Sequence, residues 1–281
     1  MLALVVGGTG TVGGAVVRNL VGKGAKVRAT TRNPGRCSKA SNVEWLAISP
    51  DCPEVPAGAF SGVECAFLLA PTGCVDQYRF LLPWIAAAAD ARTTQTVLMT
   101  AHEPDDDDDA PFRRAEAALR ATSIPGAILR PSWFMQNFHT YWGNGVRQNG
   151  LIALPAANGR IGFIDARDIA DVASTLLLRP PQPNRTLTLT GPEALNHAEI
   201  ARLLSSEMRR PIRYTNIDDA SFRRTLLEDG MPGDYADLVV AMFAVVRAGR
   251  AAQVTDSVQS VTGRPPRTFA DYARDYHDRL V

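Results

Sequence analysis

A doubly wound α/β fold, a parallel sheet wrapped by helices and followed by a smaller α+β lobe, is predicted by three features of this chain. An apolar strand, Leu2-Ala3-Leu4-Val5-Val6, runs straight into Gly7-Gly8-Thr9-Gly10-Thr11-Val12-Gly13-Gly14. Short apolar runs then alternate with segments of helical period as far as residue 130. Finally, 281 residues that are 46% hydrophobic and 21% charged supply core for one α/β unit with an attached lobe rather than for two independent domains.

The elements follow in order. The first strand ends in the glycine turn and a helix over 11–23 begins at once, with Val12, Val16, Val17, Leu20 and Val21 as its apolar stripe. This is the Rossmann-type arrangement that receives a dinucleotide pyrophosphate. Glycines allow a tight turn and a close approach of backbone to phosphate, and the helix N-terminus points its N–H groups at the anion. GxGxxG alone is a weak pattern, but here it has a strand before it, a helix after it and a second strand, 26–31, at the right distance. That second strand ends at Arg32-Asn33-Pro34. An acidic residue here would read the ribose 2′-hydroxyl of NAD, whereas arginine suits the 2′-phosphate of NADP. The expected cofactor is therefore NADP(H), with Arg28 and Arg36 adding positive charge nearby.

Strands are further expected at 43–48, 63–69, 96–100 and 127–130, with helices at 75–91 and 111–122. The Pro- and Gly-rich stretch 49–61 leaves room only for a short or irregular crossover. Asp105 to Asp109 is read as a solvated surface loop, because an EF-hand's spaced ligands and glycine are missing. After residue 150 the pattern changes to short strands near 151–154, 160–164 and 186–190 and helices at 167–178, 196–208, 219–229 and 233–247. Asn196 with Glu199 has the form of a capping box. Asp168 is expected to cap a helix starting at Ile169 or to pair with Arg167. The domains are set at 1–150, dinucleotide-binding, and 151–281, a smaller lobe intertwined with the first and closing over the nicotinamide end.

A net charge of +1 gives no electrostatic case for nucleic acid or an anionic membrane as partner. The apolar run 84–89 is too short to span a membrane, and no leader is expected, because the first residues already form a strand. Cys37, Cys52, Cys65 and Cys74 show no metal-ligand spacing, so no metal is expected and the thiols are read as reduced, in a cytoplasmic protein. The expected partner is a small-molecule substrate, with the chain a monomer or homodimer.

Several segments together resemble one family. The glycine loop, Thr31-Arg32-Asn33-Pro34, Leu129 to Phe138 (LRPSWFMQNF), Phe163 to Ala170 (FIDARDIA), Leu189 to Leu195 (LTGPEAL) and Arg264 to Phe269 (RPPRTF) are similar to NmrA-like proteins, which are atypical short-chain dehydrogenase/reductases. The likeness is greatest to the branch of quinone oxidoreductase-like and azoreductase-like proteins, and ergot-alkaloid dehydrogenases are similar too. The family spans reductases and redox-sensing regulators. The resemblance implies that Gly7, Thr9, Gly10, Thr11, Val12 and Arg32 line the cofactor. It implies that Leu69-Ala70-Pro71 and Thr100-Ala101-His102 flank ribose and nicotinamide, and that Pro131 to Asn137 form the wall facing the reacting ring. These strand ends are also where an open α/β sheet receives ligands.

Typical short-chain dehydrogenases use a Tyr-x-x-x-Lys pair, with tyrosine as proton donor and lysine lowering its pKa. No lysine follows Lys39 here. Where many family relatives place a lysine, this chain reads Pro111-Phe112-Arg113-Arg114-Ala115-Glu116, and arginine cannot do acid–base chemistry near neutrality. The expected activity is hydride transfer from NADPH to a small planar or conjugated electrophile that needs little proton assistance, such as a quinone, enone or imine. The alternative is a non-catalytic NADP(H)-binding redox sensor. His102 is the first candidate proton donor, from its ordinary pKa near 6.5, and Tyr141 the second. His139 is a further possibility. Trp133, Phe134, Asn137, Phe138 and Tyr141 are candidate pocket residues. The aromatic run that ends at Trp142 serves either a flat substrate or core packing.

Overall fold

The computed structural model describes residues 1–37, 40–49, 54–102, 107–181 and 184–281. Lys39, Cys52, Asp105 and Asp106 lie outside the described residues. The chain begins with β1 (Leu2–Val5), α1 (Thr11–Gly22), β2 (Lys26–Thr31), β3 (Val43–Ala47), β4 (Cys65–Leu69), α2 (Gln77–Asp90), β5 (Gln95–Met99), α3 (Pro111–Arg120) and β6 (Gly126–Pro131). It continues through β7 (Leu151–Leu154), β8 (Arg160–Ile161), α4 (Ala166–Leu178), β9 (Arg185–Leu189), β10 (Leu195–Asn196), α5 (His197–Met208) and β11 (Arg213–Asn216). It ends with α6 (Asp219–Glu228), α7 (Gly233–Arg247), α8 (Ser257–Thr262), α9 (Phe269–Asp275) and α10 (His277–Leu280).

Seven strands form one sheet in the order β3-β2-β1-β4-β5-β6-β9. β1 pairs in parallel with both β2 and β4, β2 with β3, β4 with β5, and β5 with β6. Strand order reverses beside β1, the switch point at which a doubly wound sheet opens a crevice at its C-terminal edge. Between β3 and β4 the described backbone is turns, as the prolines and glycines there require.

The chain divides into two compact units. One comprises Met1–Pro131 with Ala166–Thr188, the other Ser132–Asp165 with Leu189–Val281. This differs from a cut after residue 150, because α4 and most of β9 complete the first unit's layers. In that unit Leu4, Leu68 and Leu98 of the sheet share a core with Phe80, Leu81, Trp84 and Ile85 of α2 and Leu119 of α3. α1 packs on α4, where Asn19 Nδ2 donates to Asp171 Oδ1 at 2.9 Å. The second unit has its own core of Phe138, Phe163, Phe243, Phe269 and Tyr272.

Two local expectations need correction. α4 begins at Ala166, so Asp168 lies buried inside its first turn rather than before it. The run 160–164 pairs as a strand only over Arg160–Ile161, and Ile164 makes a single bridge to Phe134. The capping box at Asn196 is present in both directions, at 2.9 Å each way. Among the described residues, Asp107 to Asp109 are exposed. No helix among them is long and apolar enough to cross a membrane.

Candidate functional site

The first unit's candidate site begins where β1 ends. Gly7 has φ +72°, a left-handed conformation, and Leu69 Cδ1 would lie 3.0 Å from a Cβ placed there. The end of β4 thus fills the space that a side chain would need. Gly8 N–H donates to Thr30 O at 2.8 Å, and Gly7 N–H to Thr30 Oγ1 at 2.9 Å, which fastens the loop to β2. Gly10 N–H returns to Gly7 O at 2.9 Å. Gly13 lies so close to the Gly7 carbonyl that any Cβ would collide with it.

α1 starts with Gly10 as an extended N-cap that carries no side-chain cap, and its first turn holds no acidic residue. The first N–H groups of a helix have no intrahelical acceptor. Most helices satisfy one with a Ser, Thr, Asp or Asn cap. Here no side chain caps the end, and Thr9, Gly10 and Thr11 are exposed around it while Val12 anchors the turn in the core. Thr9 Oγ1 meets Thr31 Oγ1 at 3.1 Å, joining the loop to the end of β2. Arg32 follows directly and is exposed.

Arg28 does not add to this charge. It donates to Glu44 Oε2 at 2.8 Å and to the carbonyls of Gly58, Ala59 and Ser61 at 2.8–3.1 Å, so it staples β2 to the turn before β4. Arg36 is exposed in the turn after Arg32.

Leu69, Ala70 and Pro71 are half-buried at the end of β4, and Ala101 and His102 at the end of β5. Thr100 is buried. Its N–H donates to Leu129 O, and His102 N–H donates to Pro131 O, each at 2.9 Å. The ends of β5 and β6 are thereby tied together. Every expected cofactor residue thus lies in the first unit, and the loop and strand ends gather at one edge of the parallel sheet.

Beneath those ends lies a feature the sequence reading missed. Glu116 on α3 is fully buried and accepts from Thr100 Oγ1 at 2.8 Å, Arg113 Nη1 at 2.7 Å and Arg130 Nε at 2.9 Å, with a second bond from Arg130 Nη2. Arg120 Nη2 reaches its other oxygen at 3.3 Å. Burial alone would raise this carboxyl, but hydrogen bonds from Arg130 and Thr100 and the charges of Arg113 and Arg130 outweigh it and hold it below its ordinary range. Arg-x-x-Glu-x-x-x-Arg at 113–120 was the one local signal, since such spacings meet on a helix face. Arg113 is therefore spent on this cluster, and Arg114 lies over the Tyr78 ring at 4.0 Å.

His102 is pushed below its ordinary value, first by burial and then by the Arg113 and Arg130 cations. The donor role expected from an unperturbed imidazole near 6.5 is weakened accordingly, because burial and the two cations disfavour the protonated ring. A neutral imidazole still offers one N–H and one acceptor.

The remaining candidates belong to the second unit. Phe138 is fully buried, with ring centroids 4.9, 5.5 and 5.2 Å from Trp142, Phe163 and Phe269. It is core and cannot line a pocket. Trp133 is half-buried against Phe243, at 4.9 Å. Phe134 and Asn137 are half-buried, and Tyr141 is 47% exposed. His139 is buried, with Nδ1 2.8 Å from Tyr272 Oη. Burial, then the Arg279 and Arg147 charges, bring it to about 4 against an opposing pull from Asp165, which removes it as an acid at neutral pH.

Comparison with known proteins agrees with this architecture. The model of the NmrA-like family matches residues 2–273. The NAD(P)H azoreductase of Xenophilus azovorans is 33% identical over 279 residues, covering 97% of each chain. The oxidoreductase YesF of Bacillus subtilis is 31% identical, covering 96% of this chain and 93% of its own. Among solved structures, the NADPH-dependent quinone oxidoreductase of Escherichia coli, complexed with NADPH, superposes with a TM-score of 0.84. It covers 99% of this chain and 100% of its own at 20% identity, a likeness of fold.

Proposed function

The chain belongs to the NmrA-like family, and from that premise we propose that it is an NADPH-dependent reductase of a small planar or conjugated electrophile, such as a quinone, enone or imine. The observation that carries the reading is the uncapped N-terminus of α1 behind a glycine cradle that no Cβ could enter, with Arg32 exposed at the end of β2. Gly7, Thr9, Gly10, Thr11 and Val12 would hold the pyrophosphate, and Arg32 the 2′-phosphate. Leu69, Ala70, Pro71, Thr100, Ala101, His102 and Pro131 would flank ribose and nicotinamide. When bound, the cofactor supplies the hydride. The protein orients it, and His102 acts as a neutral hydrogen-bonding group. Proton delivery then falls to water, since no Tyr-x-x-x-Lys pair exists and Tyr141 is exposed. The azoreductase relative, named for NAD(P)H, supports both the cofactor and the acceptor class.

NADPH oxidation measured against quinones, enones, imines and azo dyes tests the class, and fluorescence titration tests the cofactor. NADPH should bind tighter than NADH. Losing a charge-assisted contact costs about 1.5–3 kcal/mol, so Arg32→Asp should weaken NADPH by at least about tenfold. Equal wild-type affinity for the two cofactors would sink the assignment. The absence of any lysine after Lys39 favours a second reading, a redox sensor that binds the dinucleotide without turnover. No turnover with any acceptor, together with clearly different affinities for NADPH and NADP⁺, would establish it.

A further inference from the structure

We propose that Glu116 is a positioning residue of this site: one buried carboxylate grips the ends of β5 and β6 and keeps two guanidiniums beside His102. The inference rests on the NADPH-reductase reading and adds a residue that touches neither cofactor nor substrate.

The argument starts from geometry. Past Met99 and Leu129 the same parallel register is carried on by the N–H groups of Thr100 and His102, which donate to Leu129 O and Pro131 O. Those are the positions from which His102 and Pro131 are presented. Glu116 takes the Thr100 hydroxyl on one strand end and a two-pronged bond from Arg130 on the other. It also takes Arg113 from its own helix. A planar guanidinium bound at two points fixes direction as well as distance. With Glu116 fully buried, Thr100 at 3% and Arg113 at 5% exposure, water cannot substitute for these two partners, and Arg130 is only 20% exposed.

Packing alone does not require such a cluster. Ion clusters out of water are often no more stabilising than apolar side chains of the same volume. What this one provides is a fixed position for two guanidiniums. Glu116 accepts from both Arg113 and Arg130, so one carboxylate holds both guanidiniums in place. These two cations act on His102, and together with its burial they hold it below its ordinary value. Arg120, with its side chain 43% exposed, lies at the rim and also bonds Thr186 Oγ1 at 3.0 Å. It shares the carboxylate without reaching either strand end.

The test uses the full-length protein and two readouts. In the first, ring-proton NMR follows the four histidines, His102 being assigned by its loss in His102→Gln. His102 should titrate below 6.5 in the wild type, and Arg130→Met should move its midpoint upward. Arg120→Met should leave it in place. In the second, NADPH is titrated by fluorescence. Glu116→Gln should weaken binding about tenfold, and Arg120→Met should stay within about twofold of wild type. Circular dichroism melts report folding. Should Glu116→Gln not fold, Thr100→Val removes one hydroxyl of the grip and should weaken NADPH in the same direction. A folded Glu116→Gln that binds NADPH like the wild type overturns the proposal. A wild type that does not bind NADPH defeats the reductase reading instead. The NMR result then decides this inference alone, and an unmoved His102 midpoint in Arg130→Met overturns it.

Discussion

His197 sits with no exposed surface among the rings of Phe138, Trp142, Phe163, Tyr214 and Phe243, at centroid distances of 5.5–6.2 Å. Among the described residues neither ring nitrogen has a hydrogen-bond partner. Burial in this apolar cage lowers its pKa from 6.5 to about 4. The unfolded chain therefore binds a proton between those values that the folded chain refuses. Stability is complete above pH 6.5 and falls as pH drops toward 4, by up to about 3 kcal/mol for a shift of this size. His139, also near 4, adds to the same slope. Urea denaturation at pH 7.5 and at pH 5 should show the midpoint falling in acid. His197→Phe, which puts an apolar ring where the polar atoms are unmatched, should reduce that fall and raise the midpoint at both pH values. An acid-dependent drop of the same size in the variant would show that His197 does not carry it.

At the scale of single elements, α1 carries the proposed cofactor site, and its sequence shows why. Gly13→Ala would drive a methyl into the Gly7 carbonyl, so the helix must shift away from the loop. NADPH affinity should fall by more than about tenfold, with a lower melting temperature; an overpacked contact typically costs about 1–3 kcal/mol. Gly22, at the other end of α1, has no described residue outside its own stretch of helix within 4 Å of its Cβ position, and Gly22→Ala should leave binding unchanged. The helix N-terminus, the strands of the sheet and α2 and α3 were legible because their signals are local: glycines, apolar runs, a stripe at helical period. β11 was not. Arg213-Tyr214-Thr215-Asn216 is polar and mostly exposed, and it is a strand only because β7 lies beside it in parallel register. The short helices α8 to α10 escaped for want of length, although Thr268 and Asp271 spell out a capping box. The grip of Glu116 joins residues 14 and 16 positions away, and no local period contains that information. Phe138 read as a pocket residue because an aromatic run looks the same in a core and in a binding wall.

For the molecule as a whole, the division of the chain has a direct test. The first unit needs α4 and most of β9, which lie beyond the 132–165 segment of the second. A fragment ending at residue 150 lacks both, leaving the face of α1 that meets α4, including Asn19, in water. It should show no cooperative thermal transition, whereas the intact chain should. A fragment 1–150 that melts sharply would mean that six strands and three helices suffice. The same division sets a timetable on the ribosome. At about 5–20 residues per second, the stretch from Pro131 to Thr188 takes on the order of seconds to emerge. Throughout that interval the nascent sheet presents β6 as an open edge, a template for unwanted strand pairing until its own last neighbour is made.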